Sequence, residues 1–208
     1  MTVNVSYYPG CSLQCCGTAY EVSVKALAEV LGIELVELDD WNCCGATEYF
    51  TQDELVACSV IARNLAIVDP QHDQLVAPCA AFYLNLKKVD KLMTDDARMS
   101  AKISEALAAG GLHYTAGSVR VRHLLDLVYT DIGEAAIKDK VVRPLAGLRV
   151  APYYGCQVVR PLNGFDSPEY PMKMDELLRW LGAEVVDYPV KAHCCGGHMT
   201  QISEPQAF

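Results

Sequence analysis

Two adjacent cysteine pairs, each closing on a glycine, are the residues of this chain best suited to chemistry: Cys43-Cys44-Gly45 and Cys194-Cys195-Gly196. A lone cysteine precedes each pair in a matching context, Tyr7-Tyr8-Pro9-Gly10-Cys11 and Tyr153-Tyr154-Gly155-Cys156. Neighbouring cysteines do not easily bond to each other, so a repeated vicinal pair points to another use of the thiolates. Cys11, Cys43, Cys44 and Cys79 form a set C-x31-C-C-G-x33-C, and Cys156, Cys194 and Cys195 form a second, C-x37-C-C-G. Soft thiolates suit iron–sulfur clusters or zinc. Structural zinc favours cysteines spaced to surround one tetrahedral ion. A vicinal pair fits that ion poorly but can reach two irons of one cluster.

Other candidates lie close by. Cys15 and Cys16 follow Cys11 and read as a redox pair, as extra ligands, or as small residues packed near the site. Cys58 falls mid-helix on an apolar face and reads as core. His193 and His198 flank the second vicinal pair. Histidine titrates near neutrality and could hand a proton to a thiolate leaving group; a solvated loop histidine is the competing reading. Gln157 and Arg160 are placed to line a pocket for an anion. His72, His113 and His123 have no partner pattern and read as surface. Trp41 should pack under the first cysteine loop, and Tyr7, Tyr8, Tyr153 and Tyr154 read as strand-end packing.

These residues need strands and helices to hold them. Val3–Tyr8 predicts a strand ending at Pro9-Gly10. A helix over Ala19–Leu31 follows, with Val22, Ala26, Leu27, Val30 and Leu31 at helical spacing and Gly32 as its C-terminal glycine. A strand over Ile33–Leu38 leads to Cys43-Cys44. A helix over Asp53–Val68 opens on acidic residues that suit its N-terminus. Gln74–Ala77 predicts a strand reaching Cys79, with helices over Ala81–Leu92, Ala97–Ala109 and Ser118–Ile132. Lys138–Leu148 reads as a connector. The pattern then restarts: strand Leu148–Pro152, helix Pro171–Leu181, Gly182, strand Ala183–Tyr188. Leu31-Gly32-Ile33-Glu34-Leu35-Val36 is echoed by Leu181-Gly182-Ala183-Glu184-Val185-Val186. This is an internal duplication, too long in period for a solenoid. It predicts an α/β fold of two related halves, with short parallel sheets flanked by helices and cysteine loops at strand ends. The first domain is expected over 1–137 and the second over 148–208. The interval from Cys44 to Cys79, counted again from Cys195, runs past Phe208. Either the sequence is a piece of a longer polypeptide whose tail completes the second set, which is the preferred reading, or the second set is incomplete.

Composition narrows the function. The chain has 208 residues, 51% hydrophobic and 21% charged, enough for a real core. Its formal net charge of -9 is a poor basis for nucleic-acid binding. No apolar run predicts a transmembrane segment, and the N-terminus lacks the character of a secretory signal. Ten cysteines without such a signal suit a reducing, cytoplasmic setting with metal-bound or catalytic thiolates. No G-x-G-x-x-G fingerprint or P-loop is present, so no flavin or nicotinamide is expected on this chain.

At Tyr7-Tyr8-Pro9-Gly10-Cys11-Ser12, Trp41-Asn42-Cys43-Cys44-Gly45-Ala46 and Ala77-Pro78-Cys79-Ala80-Ala81 the sequence resembles the cysteine-rich CCG-domain family, and within it the B subunits of heterodisulfide reductases and heterodisulfide-reductase-like complexes. The resemblance covers both copies. It implies [4Fe-4S] clusters held by Cys11, Cys43, Cys44 and Cys79 and by Cys156, Cys194 and Cys195. In the family such clusters are of a noncubane type that binds and splits a disulfide one sulfur at a time. The family pattern ends C-x-x-C, and here Phe82 stands in place of the last cysteine. Four thiolates then remain at the first site, enough for a cubane cluster. The resemblance further implies a ferredoxin-like iron–sulfur subunit and a flavin subunit as partners. The substrate would be a disulfide or thiol, a protein-bound lipoyl group among the options, with Cys194, Cys195, His193 and His198 as the catalytic candidates. A pure electron-relay subunit of a lactate-, glycolate- or succinate-type oxidoreductase and a structural zinc protein are the competing readings.

Overall fold

The apolar segments between the cysteine loops form short strands, all parallel, joined by helices. The computed structural model describes residues 3–46, 48–160, 162 and 164–197. The chain separates into two compact units, Met1–Leu127 and Val128–Phe208.

The first unit runs β1 (Val3–Tyr7), α1 (Cys11–Gln14), α2 (Thr18–Leu31), β2 (Ile33–Glu37), α3 (Glu48–Gln52), α4 (Glu54–Ala66), β3 (Gln74–Ala77), α5 (Ala80–Asp95), α6 (Ala97–Ala109), β4 (Arg120–His123) and α7 (Leu124–Leu127). Its strands form one parallel sheet in the order β2-β1-β3-β4. The chain steps outward from β1 to β2, then returns past β1 to β3 and β4. In an open α/β sheet the loops diverge where the order reverses, leaving a crevice beyond the carboxyl ends of the strands. Here that point lies between β1 and β3.

Side chains alternate across a sheet, and the alternation sorts the helices. Tyr7 faces α2, where its hydroxyl donates to Glu21 at 2.5 Å. Leu75 and Ala77 point the other way, into a core with Ile61 and Leu65 of α4, Leu86 of α5 and Ile103 of α6. Helix ends follow local chemistry. The Asp53 carboxylate accepts from the Val56 N–H at 2.9 Å and starts α4, a cap of about 1 kcal/mol. Gly32 closes α2 with a left-handed φ of 68°.

Two expectations fail here. Ser118–Ile132 is not one helix: β4 comes first, then α7, then a π-helical turn over Val128–Ile132. Val119, Val121 and His123 alternate with Arg120 and Arg122, a strand period, and the helical leucines begin only at Leu124. In α2 the buried residues are Val24 and Ala28, while Val22, Leu27 and Val30 are exposed. The helix is apolar on several sides, so its spacing alone did not select the inner face.

The second unit continues from that π-helical turn with α8 (Gly133–Lys140), β5 (Arg149–Val150), α9 (Cys156–Val159), α10 (Lys173–Trp180) and β6 (Glu184–Val185). β5 and β6 pair in parallel, Arg149 with Glu184 and Val150 with Val185. Both strands are shorter than expected, and α8 takes up the start of the expected connector. The fold is α/β, with short parallel sheets flanked by helices.

Candidate metal centre

The four cysteines of the first set each follow a strand of the sheet. Cys11 opens α1 after β1, Cys43 and Cys44 lie in the loop after β2, and Cys79 is the N-cap of α5 after β3. β1, β2 and β3 are parallel neighbours, so their carboxyl ends deliver all four thiols to one region. The Cys11 and Cys43 sulfurs are 3.3 Å apart. Cys79 is near enough to act electrostatically on Cys11 and Cys44. Cys44 is buried, Cys43 and Cys79 are half-buried and Cys11 is exposed.

The walls of this region are rigid. Gly10 has φ 79°, and a Cβ there would lie 2.0 Å from the Phe82 ring, so only glycine fits. Phe82 is buried and packs edge-on against Tyr8 with ring centroids 4.8 Å apart. Tyr8 meets Trp41 in the same way at 5.5 Å. The Tyr8 hydroxyl donates to the Asn42 carbonyl at 2.5 Å. Buried Asn64 holds the same residue, accepting from its N–H at 2.9 Å and donating to its carbonyl at 3.1 Å. Trp41-Asn42-Cys43 is therefore pinned from below. On α5, the Asn85 amide donates to the Cys44 sulfur at 3.4 Å and to the Ala46 carbonyl at 2.7 Å.

His123, read from sequence as surface, is buried at the end of β4. Its Nδ1 accepts from the Leu125 N–H at 3.2 Å, and the ring also bonds the Pro78 carbonyl. The Tyr20 hydroxyl reaches that carbonyl too, at 3.3 Å. His123 thus steadies the residue before Cys79. The alternation Val119, Val121, His123 was the signal that could have found it.

Burial pushes the Cys44 thiol up to about 12, against the opposing hydrogen bond from Asn85. Burial, then the contact with Cys43, pushes Cys11 up to about 11. Both thiols hold their protons at neutral pH, and a metal bound here must displace them.

The second set repeats the arrangement. Cys156 opens α9 after β5, and Cys194 and Cys195 follow β6. The Cys156 thiol bonds that of Cys194, as Cys11 does Cys43, and burial raises its pKa. Gly155 precedes Cys156 with φ 70°, as Gly10 precedes Cys11. In both turns the backbone N–H groups two residues on meet the vicinal sulfurs. Gly45 donates to Cys43 at 3.4 Å and Ala46 to Cys44, and Gly196 donates to Cys194 and Gly197 to Cys195, each at 3.4 Å.

The supports differ. Under the second set Lys191 and Asp175, both fully buried, form an ion pair at 2.9 Å. The Tyr154 hydroxyl donates to Asp175 at 2.6 Å. The Lys191 carbonyl accepts the N–H groups of Tyr154 and Gly155 at 2.9 and 3.1 Å. Tyr153 is exposed rather than packed, and its hydroxyl donates to the His193 carbonyl at 2.6 Å. Arg160 donates to the Ala192 carbonyl at 3.1 Å and pairs with Glu169, so it braces the loop before His193. Cys194, Cys195 and the His193 side chain are exposed. His198 lies outside the described residues. Cys15 and Cys16 are exposed at the end of α1, and the Cys16 thiol reaches the Ser12 carbonyl at 3.8 Å. Cys58 is core, as expected. Among the described residues no three Cys, His, Asp or Glu side chains close on one common metal-ion position.

A family model of the cysteine-rich CCG domain matches residues 5–87 and 150–208. The chain is 32% identical over its whole length to the 8-methylmenaquinol:fumarate reductase membrane anchor subunit of Wolinella succinogenes, covering 72% of that protein. It is 29% identical over 98% of its length to a protein of Archaeoglobus profundus named as like the B subunit of heterodisulfide reductase, covering 70%. It is 28% identical over 93% of its length to the B subunit of the ferredoxin/F(420)H(2)-dependent CoB-CoM heterodisulfide reductase of Methanosarcina acetivorans, covering 65%. Among solved structures, a hypothetical protein from Helicobacter pylori superposes with a TM-score of 0.70 at 12% identity, over 98% of this chain and 36% of that one.

Proposed function

This chain belongs to the cysteine-rich CCG domain family, and on that premise we propose that it is an iron–sulfur subunit of a reductase complex of the heterodisulfide reductase type. The repeated thiol arrangement carries this reading. In each half a lone cysteine meets the first member of a vicinal pair while backbone N–H groups point at the pair's sulfurs. Thiols gathered from several strand ends, a vicinal pair among them in each set, suit a polynuclear cluster better than one zinc ion. A [4Fe-4S] cluster would supply one-electron transfer and, at an open iron, affinity for sulfur.

Cys11, Cys43, Cys44 and Cys79 would hold the first cluster. Phe82 fills the wall beside Gly10, so four thiolates serve this site, the number of an ordinary cubane. Cys156, Cys194 and Cys195 would hold the second. Their exposure suits contact with a disulfide or thiol substrate, and a protein-bound lipoyl group is one such sulfur species. His193, next to Cys194, and His198 would supply protons to a departing thiolate. Electrons would pass through a ferredoxin-like iron–sulfur subunit from or to a flavin subunit, in the cytoplasm. No described helix is long and apolar enough to cross a membrane. Replacing Cys194 or Cys195 with alanine in the intact complex should abolish disulfide turnover. Retained turnover would sink the reading.

A second reading has its own support. The relative at 32% identity over the whole chain is named for a quinol:fumarate reductase, and a four-thiolate first site suits relay. In that case the subunit only passes electrons. Thiol added to the oxidised complex should induce a new EPR signal under the first reading. Under the second it should not, and a menaquinol analogue should reduce the clusters instead.

A further inference from the structure

Asn85 sits on α5, six residues past Cys79, and is 4% exposed. Its Nδ2 is 3.4 Å from the Cys44 sulfur and 2.7 Å from the Ala46 carbonyl oxygen. The carbonyl fixes the orientation of the amide. A flipped side chain would set Oδ1 against an oxygen that can only accept. One amide hydrogen therefore serves the carbonyl and the other the sulfur. Cys44 is itself buried, whereas the other candidate ligands are half-buried or exposed. The deepest sulfur of the set thus receives a directed side-chain N–H in a place where water does not compete, and the low local dielectric strengthens that bond.

We propose that Asn85 tunes the reduction potential of the cluster held by Cys11, Cys43, Cys44 and Cys79, by donating a hydrogen bond to the Cys44 sulfur. The inference rests on the iron–sulfur reading above. Reduction adds negative charge that spreads onto the thiolate sulfurs. A donor at one of them favours the reduced form and raises the potential. At the second set Gly196 and Gly197 donate to Cys194 and Cys195 from the backbone of their own turn, and the exposed Tyr153 side chain also hydrogen-bonds Cys195. What sets Cys44 apart is that both its side-chain donor and the sulfur are buried. Asn85 touches a ligand and not the reacting atoms, and is a positioning residue.

The test is an EPR-monitored redox titration of the intact complex carrying Asn85→Leu, Asn85→Asp or Asn85→Gln, with iron measured on each. Leucine removes the donor. Aspartate keeps the shape but brings an acceptor and a charge to the sulfur. Glutamine keeps a donor on a longer arm. The expected result is full iron content with one redox wave moved to lower potential, more for Asp than for Leu and least for Gln, while the other wave stays in place. Full iron with no shift, or an equal shift of both waves, overturns the inference. Loss of iron from all three variants makes Asn85 an anchor of the turn and overturns it as well. A wild-type complex without iron overturns the iron–sulfur reading together with this inference, and is distinct from an iron-loaded complex whose wave does not move.

Discussion

Burial makes His123 a site of acid sensitivity in the first unit. Its pKa is lowered to about 4, chiefly by loss of hydration, against the opposing bond to Pro78. In the unfolded chain a histidine titrates near 6.5. Between those values the unfolded state binds a proton that the folded state refuses, so stability falls as pH drops from about 6.5 to about 4. A shift of this size corresponds to about 3 kcal/mol, present in full above that window and lost within it. Denaturant midpoints of the metal-free chain across pH 4–7 should show the slope, and His123→Phe should flatten it. An unchanged slope in the variant would assign the effect to other groups. His123→Phe should also loosen Cys79, because the ring that bonds the Pro78 carbonyl is gone.

At the scale of elements, α2 shows where packing overrides pattern. Val22 and Val30 are 69% and 55% exposed, whereas Val24 is 2% exposed. Val22→Lys and Val30→Lys should each change stability by less than about 0.5 kcal/mol. Val24→Ala should cost about 1–3 kcal/mol. Chemical denaturation of the three variants decides, and a large loss at Val22 would mean that this face is covered. The sequence showed α2 itself, its stop at Gly32, and α6 to the residue. It also showed each cysteine of the first set at a strand end, because apolar runs, glycines and cysteines are local signals. The inner face of α2 was not legible, since Val22, Ala26, Leu27 and Val30 offer as good a stripe as Val24 and Ala28. β4 was hidden by the leucines that follow it. Asn64 and Asn85 were missed for a third reason. Each is a polar residue that resembles surface until a partner distant in sequence is brought to it.

In the whole molecule the duplication preserves the thiol turns while the supports beneath them diverge. The first set rests on a network of Tyr8, Asn42 and Asn64, whose charged neighbour, Arg63, donates to the Asn42 side chain at 3.0 Å and is partly exposed. The second rests on a buried charge pair, with Lys191 bonded to Asp175, and Tyr154 accepting the Met174 and Asp175 N–H groups at 2.8 and 3.0 Å. Every described buried side-chain nitrogen and oxygen has a partner, so breaking the pair strands a charge. Lys191→Met should cost about 3–5 kcal/mol, whereas Lys191→Met combined with Asp175→Leu should cost much less. The damage should also be local. Lys191 holds the backbone of Tyr154 and Gly155 next to Cys156. With two [4Fe-4S] clusters, protein purified without oxygen in its full-length form should carry about eight irons per chain. The Lys191→Met chain should fall to about four, with the redox wave of the first cluster intact. Loss of all iron would mean that the two sets are not independently supported, and retention of all eight would deny Lys191 any part in holding the second.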